Sequence, residues 1–368
     1  MRWPFGRRET RSEPLRLEEL LFPDDPTYAG ASRSVTAESA LRLSAVWSCV
    51  KLLSDTVSTL PVDVFREGSR DPLPLPPLLR QPGAGANLSE WLYQAMVSLL
   101  LRGNSYGLIT ARSGSSMRPS QVELVHPDLV TCTVMPDGRV EKRYRGEVVT
   151  PDQLWHVRAF TFPGLPAGLS PVTYARQTIG LGLATQRFGN QFFEEGAAPS
   201  GVLTAEGRLT QNQVDEAKRR FMQSHRGKRE PLVLGEGITW KQISVSPTDA
   251  AWVESQQFTV GDVARLYNIP AEMVGGESGD SMTYANIEGR DLSFMKYAVG
   301  PWLVRFERAL GELLPRGQFV KFNPNALLRA TTKQRFDAYK VALDAKFMTV
   351  DEVRALEDLP PLAQGGIA

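Results

Sequence analysis

Few side chains in these 368 residues are arranged to bind a metal, attack a carbonyl or cradle a phosphate. The three histidines, His126, His156 and His225, stand far apart, and the two cysteines, Cys49 and Cys132, are isolated. Such spacing offers neither a Cys/His zinc site nor an HExxH helix. No GxxxxGK run precedes a serine or threonine, so the phosphate cradle of a P-loop NTPase is missing. Gly180-Leu-Gly182 lies inside a helical pattern, follows no strand and lacks a third glycine, which argues against a dinucleotide loop.

One formal match to a catalytic motif remains. Gly103-Asn-Ser-Tyr-Gly107 has the GxSxG spacing of a nucleophile elbow, with Ser105 as the candidate serine-hydrolase nucleophile. That elbow needs a strand entering and a helix leaving. Here the order is reversed. Trp91, Leu92, Ala95, Met96, Leu99 and Leu100 recur at helical spacing before it, and Tyr106–Thr110 after it reads as a strand. Gly103 is therefore expected as a helix C-cap and Ser105 as turn chemistry. No catalytic residue and no cofactor is expected.

Periodicity lays out the elements around these residues. An arm rich in Pro, Arg, Asp and Glu covers residues 1–33, and a helix follows from Ser34 to Thr59. Pro61 ends it, Val62–Phe65 alternates as a strand, and the proline-rich stretch from Asp71 to Asn87 reads as a loop. Strands are expected at Gln121–Val125, Thr131–Val134, Arg139–Arg143 and Leu154–Arg158, giving an α+β domain over 34–169. Pro171 opens a helical run to about Glu195 with two apolar faces. Val172, Ala175, Ile179 and Leu183 line one face; Leu181, Phe188 and Phe192 line the other.

Residues 197–247 form an insertion with strands at Ser200–Leu203, Leu232–Leu234 and Ile238–Ile243. Thr210-x-x-Gln213 is a capping box for a short helix that buries Val214, Ala217 and Phe221 and leaves Lys218, Arg219 and Arg220 outward. Ser246-Pro-x-Asp249 starts a second long helix that runs to about Tyr267. The polar run Gly275, Gly276, Glu277, Ser278, Gly279, Asp280, Ser281 has no apolar anchor and reads as a loop. Helix resumes near Thr283 and reaches Leu314, with a kink expected at Gly300-Pro301 and a seam of Val299, Leu303, Phe306, Leu310 and Leu313. A strand at Phe319–Phe322 and helices at Thr332–Phe347 and Thr349–Leu359 complete the chain.

Lys and Arg total 42 against 41 Asp and Glu, a net charge of +1. That balance excludes a strongly basic nucleic-acid glue and an acidic, solvated tail. Two cysteines cannot make a disulfide framework, which points to a reducing compartment. No stretch reaches the roughly 18 apolar residues of a spanning helix, and the basic start lacks the apolar core of a signal peptide. A soluble protein made inside the cell is expected, with no membrane contact.

The order of segments resembles the portal proteins of tailed bacteriophages, in the siphovirus-type branch shared with gene transfer agents. The likeness is carried by Ala45-Val-Trp-Ser-Cys-Val-Lys-Leu-Leu-Ser-Asp-Thr-Val-Ser-Thr-Leu-Pro61, Leu101-Arg-Gly-Asn-Ser-Tyr106 and Phe192-Phe-Glu-Glu-Gly-Ala-Ala-Pro-Ser-Gly-Val-Leu203. Ser246-Pro-Thr-Asp-Ala-Ala251, Val263-Ala-Arg-Leu-Tyr-Asn-Ile-Pro270, Thr283-Tyr-Ala-Asn-Ile-Glu288 and Val353-Arg-Ala-Leu-Glu-Asp-Leu-Pro-Pro361 continue it. Each is weak alone; their collinearity is specific.

The resemblance implies a ring, usually of twelve subunits, at one capsid vertex, with double-stranded DNA passing through it without sequence readout. Residues 34–169 with 284–329 become the wing, 170–196 and 248–269 the stem, and 197–247 the clip. Residues 270–283 hold the tunnel loop, whose DNA-facing residues are Gly275 to Thr283, including Met282, and 330–368 form the crown. Ile179, Gly182, Leu183, Phe188 and Phe192 become stem contacts between subunits. Lys218, Arg219, Arg220, Arg226, Lys228 and Arg229 become a docking surface on the clip for terminase and then a head–tail adaptor. The major capsid protein is the partner in the shell, the virion vertex the location, and the host cytoplasm the place of synthesis. Glu277 and Asp280, with no Lys or Arg in the loop, suit a channel that must repel phosphate. The competing reading is a monomeric or dimeric capsid-associated adaptor.

Overall fold

The computed structural model describes residues 35–69, 71–114, 117–194, 201–205, 210–212, 214–216, 219, 238–242, 249–276, 284–326, 332–357 and 359–362. Helix α1 (Ser44–Thr59) leads into strands β1 (Val62–Arg66) and β2 (Pro72–Leu73). Helix α2 (Leu88–Arg102) precedes β3 (Asn104–Arg112), β4 (Pro119–Val125), β5 (Val130–Val134), β6 (Val140–Tyr144), β7 (Glu147–Val149) and β8 (Leu154–Arg158). Helix α3 (Arg176–Glu194), β9 (Gly201–Ala205), β10 (Ile238–Gln242) and α4 (Asp249–Leu266) follow. The chain continues through α5 (Tyr284–Ser293), α6 (Gly300–Gly311), β11 (Gln318–Phe322), α7 (Thr332–Asp344) and α8 (Val350–Leu356). The fold is α+β, as the sequence pattern requires.

Two compact units divide the chain: Met1–Ser58 with Pro77–Met282, and Thr59–Pro76 with Thr283–Ala368. The first is built around α2. Asn87 caps its start by accepting from the Glu90 N–H at 2.9 Å. Trp91, Leu92, Ala95, Met96, Leu99 and Leu100 are all buried, as their helical spacing demands. The indole of Trp91 donates to the Val122 carbonyl at 2.8 Å and lies 4.9 Å from the ring of Trp155, tying α2 to the sheet ordered β4-β3-β8. A second antiparallel sheet, β5-β6-β7, and the pair β9–β10 complete the strands of this unit.

The second unit centres on the sheet β11-β1-β2. Phe65 stands opposite Phe319 across β1 and β11, with ring centroids 5.6 Å apart. Glu307 of α6 clips the helix to that sheet, accepting from Lys321 Nζ at 2.5 Å and from the Phe322 N–H at 3.1 Å. The seam of Val299, Leu303, Phe306, Leu310 and Leu313 is buried in full.

Several elements depart from the sequence pattern. The first helix breaks after Ala40 and restarts at Ser44, because Thr36 and Ser39 form their own capping box around Ala37–Ala40. The run from Pro171 also breaks: Pro171–Tyr174 is a single turn, Ala175 leaves helical geometry, and α3 starts at Arg176. At the expected kink before Gly300-Pro301, Phe294–Val299 is a π-helical turn, in which the Gly300 N–H donates to the Met295 carbonyl. Widening the turn accommodates a proline that lacks an N–H and crowds the preceding carbonyls. The expected loop contains the edge strand β2, where Pro72 is tolerated, and a turn of helix at Pro77–Arg80. Ser246 and the strand expected at Leu232–Leu234 lie outside the described residues.

Gly103 ends α2 in the left-handed region, at φ 71, and a Cβ there would lie 2.0 Å from the Leu169 carbonyl oxygen. Gly138 has a similar φ of 84 with open space around it. Gly138→Ala is expected to cost roughly 1–3 kcal/mol, the strain alone. Gly103→Ala should cost clearly more, because the clash with Leu169 adds to the strain. Urea midpoints of the two variants measure the difference.

Candidate functional site

The two long helices of the first unit are the elements that the resemblance makes the stem, with the expected subunit contacts on the first of them. Their placement begins at the C-terminal end of α2. A helix leaves its last four carbonyls without intrahelical partners. Here each is taken by a specific group. The Gly103 N–H donates to Leu99 at 2.9 Å, and the Tyr267 hydroxyl, just beyond α4, donates to Leu100 at 3.2 Å. Ser170 Oγ, just before α3, donates to Leu101 at 2.7 Å while accepting from the Thr173 N–H. Asn104 Nδ2 donates to Arg102 at 3.1 Å. Both long helices are thus pinned to one point.

This arrangement also settles Ser105. It lies in β3 opposite Val157, buried, with no hydrogen-bond partner for its hydroxyl among the described residues. Ser105 belongs to a strand rather than to a turn, and no base among the described residues hydrogen-bonds to it. The histidine of this region, His156, is held neutral: burial, then Lys142 and Arg158, push it from 6.5 to about 2. No cluster of His, Cys, Asp and Glu among the described residues could hold a metal, and no described helix is long and apolar enough to cross a membrane.

From the pinning point, α3 packs on α4. Ile179 is 0 % exposed, Val263 and Ala264 of α4 are buried, and Thr259 is buried with them. Gly182 sits where α3 meets Thr259 of α4. A Cβ there would stand 2.7 Å from Thr259 Cγ2 and 3.0 Å from Leu43 Cδ2. The absence of a side chain is what lets α3 lie against its own subunit.

The other face of the same helix is exposed in the single subunit. Leu181 and Phe188 are spaced by seven and are 60 % and 55 % exposed, and Tyr174, 66 % exposed, lies in the short turn before the break at Ala175. Residues seven apart on one helix drift by only about 20°, so Leu181 and Phe188 share one exposed stripe. The five expected stem contacts therefore separate. Ile179 and Gly182 are occupied inside the chain, Leu183 is half-buried, Phe188 is on the open stripe, and the Phe192 side chain lies outside the described residues.

The remaining expected site residues are described only in part. Gly275 closes the short helical turn Ala271–Val274, and Gly276 donates to Ala271 at 2.7 Å; Glu277, Ser278, Gly279, Asp280, Ser281, Met282 and Thr283 lie outside the described residues. On the clip, Arg219 is exposed and pairs with Glu216 at 2.5 Å. Lys218, Arg220, Arg226, Lys228 and Arg229 lie outside the described residues. Val214, expected to be buried, is 42 % exposed. Strands β9 and β10, near the two ends of the insertion, pair with each other from Gly201↔Gln242 to Ala205↔Ile238.

The family model of the phage portal protein matches residues 44–358. A probable portal protein of Streptomyces phage phiC31 is 30% identical over 93% of this chain and 81% of its own length. The chain belongs to the phage portal protein family. The portal protein of Enterobacteria phage HK97 is 29% identical over 93% of this chain and 84% of its own length. Among solved structures, the neck of a native gene transfer agent particle, computed with C12 symmetry, has the same fold. Its TM-score is 0.60 at 22% identity, covering 89% of this chain and 94% of that one. Portal proteins are structural components of the particle.

The two faces of α3 predict opposite outcomes for substitutions one position apart. Gly182→Leu must displace Thr259 or Leu43 and is expected to destabilise the subunit by roughly 1–3 kcal/mol or more. Leu181→Glu and Phe188→Glu are expected to change it by no more than about 0.5 kcal/mol. Denaturation of the dissociated subunit by urea measures both.

Proposed function

We propose that about twelve copies of this chain close into the portal ring at one vertex of a capsid. Double-stranded DNA would be packaged and later ejected through that ring. The observation that carries this reading is the stripe of Leu181 and Phe188, exposed on a helix whose other face is already used within the subunit. A cyclic array needs such a heterologous contact, in which one surface of each copy meets a different surface of the next. Family membership over 44–358 and the C12 neck with the same fold support it.

The domain roles follow in the same reading. The β1–β11 pairing joins an early and a late segment, which supports a wing built from 34–169 with 284–329. Helix α3 and helix α4 serve as stem, residues 197–247 as clip, and 330–368 as crown. Terminase docks on the basic residues of the clip during packaging, and a head–tail adaptor replaces it. The exposed Arg219 suits such a surface. The major capsid protein holds the ring in the shell, and synthesis takes place in the host cytoplasm.

A net charge of +1 suits a conduit for DNA of any sequence, since each neutralised phosphate would release counterions and strengthen binding. Glu277 and Asp280 keep the loop Gly275–Thr283 from gripping the backbone.

Native mass spectrometry of the purified protein is expected to give a closed ring of about twelve subunits. A stable monomer or dimer at micromolar concentration would instead support the capsid-associated adaptor. Replacing Glu277 and Asp280 by lysine adds about four charges per subunit, repeated around the ring. Intact rings of that variant should bind DNA with a steep salt dependence. Weak, salt-insensitive binding would remove the loop from the channel.

A further inference from the structure

The sheet β5-β6-β7 has almost no core: from Asp128 to Gln153 no residue is buried. Segments with so little core lie at the low-stability end of a fold. Side-chain bonds do hold this meander against the sheet β4-β3-β8. Tyr106 Oη and Cys132 Sγ are 3.3 Å apart, and Lys142 Nζ is 3.1 Å from His156 Nδ1.

The proton on His156 is fixed by its surroundings. Asn104 Nδ2 donates to the carbonyls of Gly168 and Arg102, so its Oδ1 faces the other way and accepts from the Gly168 N–H at 2.7 Å. The same oxygen lies 3.0 Å from His156 Nε2, which must therefore carry the hydrogen. Nδ1 is left with its lone pair and accepts from the Lys142 ammonium. The imidazole also stacks on the Tyr106 ring at 4.2 Å. A second proton on Nδ1 would remove the acceptor and place two cations in contact.

The charged groups acting on His156 among the described residues are Lys142 of β6 and Arg158 of its own strand β8, both cationic. Of the groups facing the contact from β5 and β3, Cys132 is a thiol and Tyr106 a phenol whose pKa burial pushes up. Neither offers a carboxylate to offset the added charge.

We propose that the His156–Lys142 contact is a proton-sensitive latch: one proton taken up by His156 releases the β5-β6-β7 meander while the rest of the unit stays folded. Docking holds His156 neutral down to about 2, whereas a released imidazole titrates at its ordinary 6.5. Stability of the docked state is therefore complete above that ordinary value and is lost as pH falls below it. Each pH unit multiplies the released population by about ten, the signature of a single proton.

The two cysteines supply the test in the full chain. Cys132 lies in the latch, and a bulky label on its sulfur must part it from Tyr106. Cys49 is 0 % exposed in α1, its thiol pushed up to about 12 by burial, and reports global unfolding. Labelling with 4,4′-dithiodipyridine is followed at both residues by peptide mass spectrometry. The Cys132 rate is divided by that of a free thiol measured at the same pH, which removes the reagent's own pH dependence. In the wild-type chain this corrected rate is expected to climb towards about tenfold per pH unit below about pH 6.5, with Cys132 labelled far faster than Cys49 throughout. His156→Gln, whose amide can make both hydrogen bonds but takes up no proton, should give a flat corrected rate. A flat corrected rate in the wild type, Cys49 labelled as fast as Cys132, or an unchanged climb in His156→Gln overturns the latch. The wild-type Cys132 rate decides by itself if the variant does not fold.

Discussion

Four backbone carbonyls at the end of α2 organise the first unit. Buried polar groups must find partners, and an unsatisfied carbonyl costs about 1–3 kcal/mol. Only a particular arrangement of the chain satisfies all four here. Gly103 must turn left-handed, Ser170 must arrive as the cap before α3, Tyr267 must arrive at the end of α4, and Asn104 must turn back on Arg102. Segments separated by more than 150 residues in sequence are thereby fixed relative to one helix end, Leu100 and Tyr267 lying 167 apart. Asn104 extends the same network through His156 to Lys142. A run that resembles a hydrolase elbow is in fact a junction of hydrogen bonds.

That junction gives the long helices their division of labour. Pinned at their ends, α3 and α4 bury Ile179 and Thr259 within the chain and meet at Gly182. The apolar surface they leave over faces outward. For an assembling subunit this order matters, because a chain that had to borrow a neighbour to bury Ile179 could not fold before assembly. We read the exposed stripe as the surface reserved for the neighbour in the ring.

Much of this was legible in the sequence. The spacing of Trp91 to Leu100 and of Val299 to Leu313 gives buried helix faces because burial on a helix has a fixed period. Gly103 reads as a cap because few other residues adopt its backbone angle. What was not legible depends on partners distant in sequence. Periodicity marks two faces on α3 but cannot say which one meets α4, so Gly182 reads as a contact between subunits when its neighbours are Thr259 and Leu43. The π turn before Pro301 escapes for another reason: proline signals a disturbed ladder, and the surrounding packing decides where the disturbance goes. The short strand β7, with no buried residue, has no hydrophobic pattern to betray it.

The central claim is that one face of α3 serves the subunit and the other serves the ring. Hydroxyl-radical footprinting of the assembled and dissociated protein tests it directly. Ile179 is expected to be protected in both states, while Leu181 and Phe188 are reactive in the dissociated subunit and become protected on assembly. If Leu181 and Phe188 stay as reactive in the assembled protein as in the subunit, the stripe is not the ring contact and the account of the stem fails.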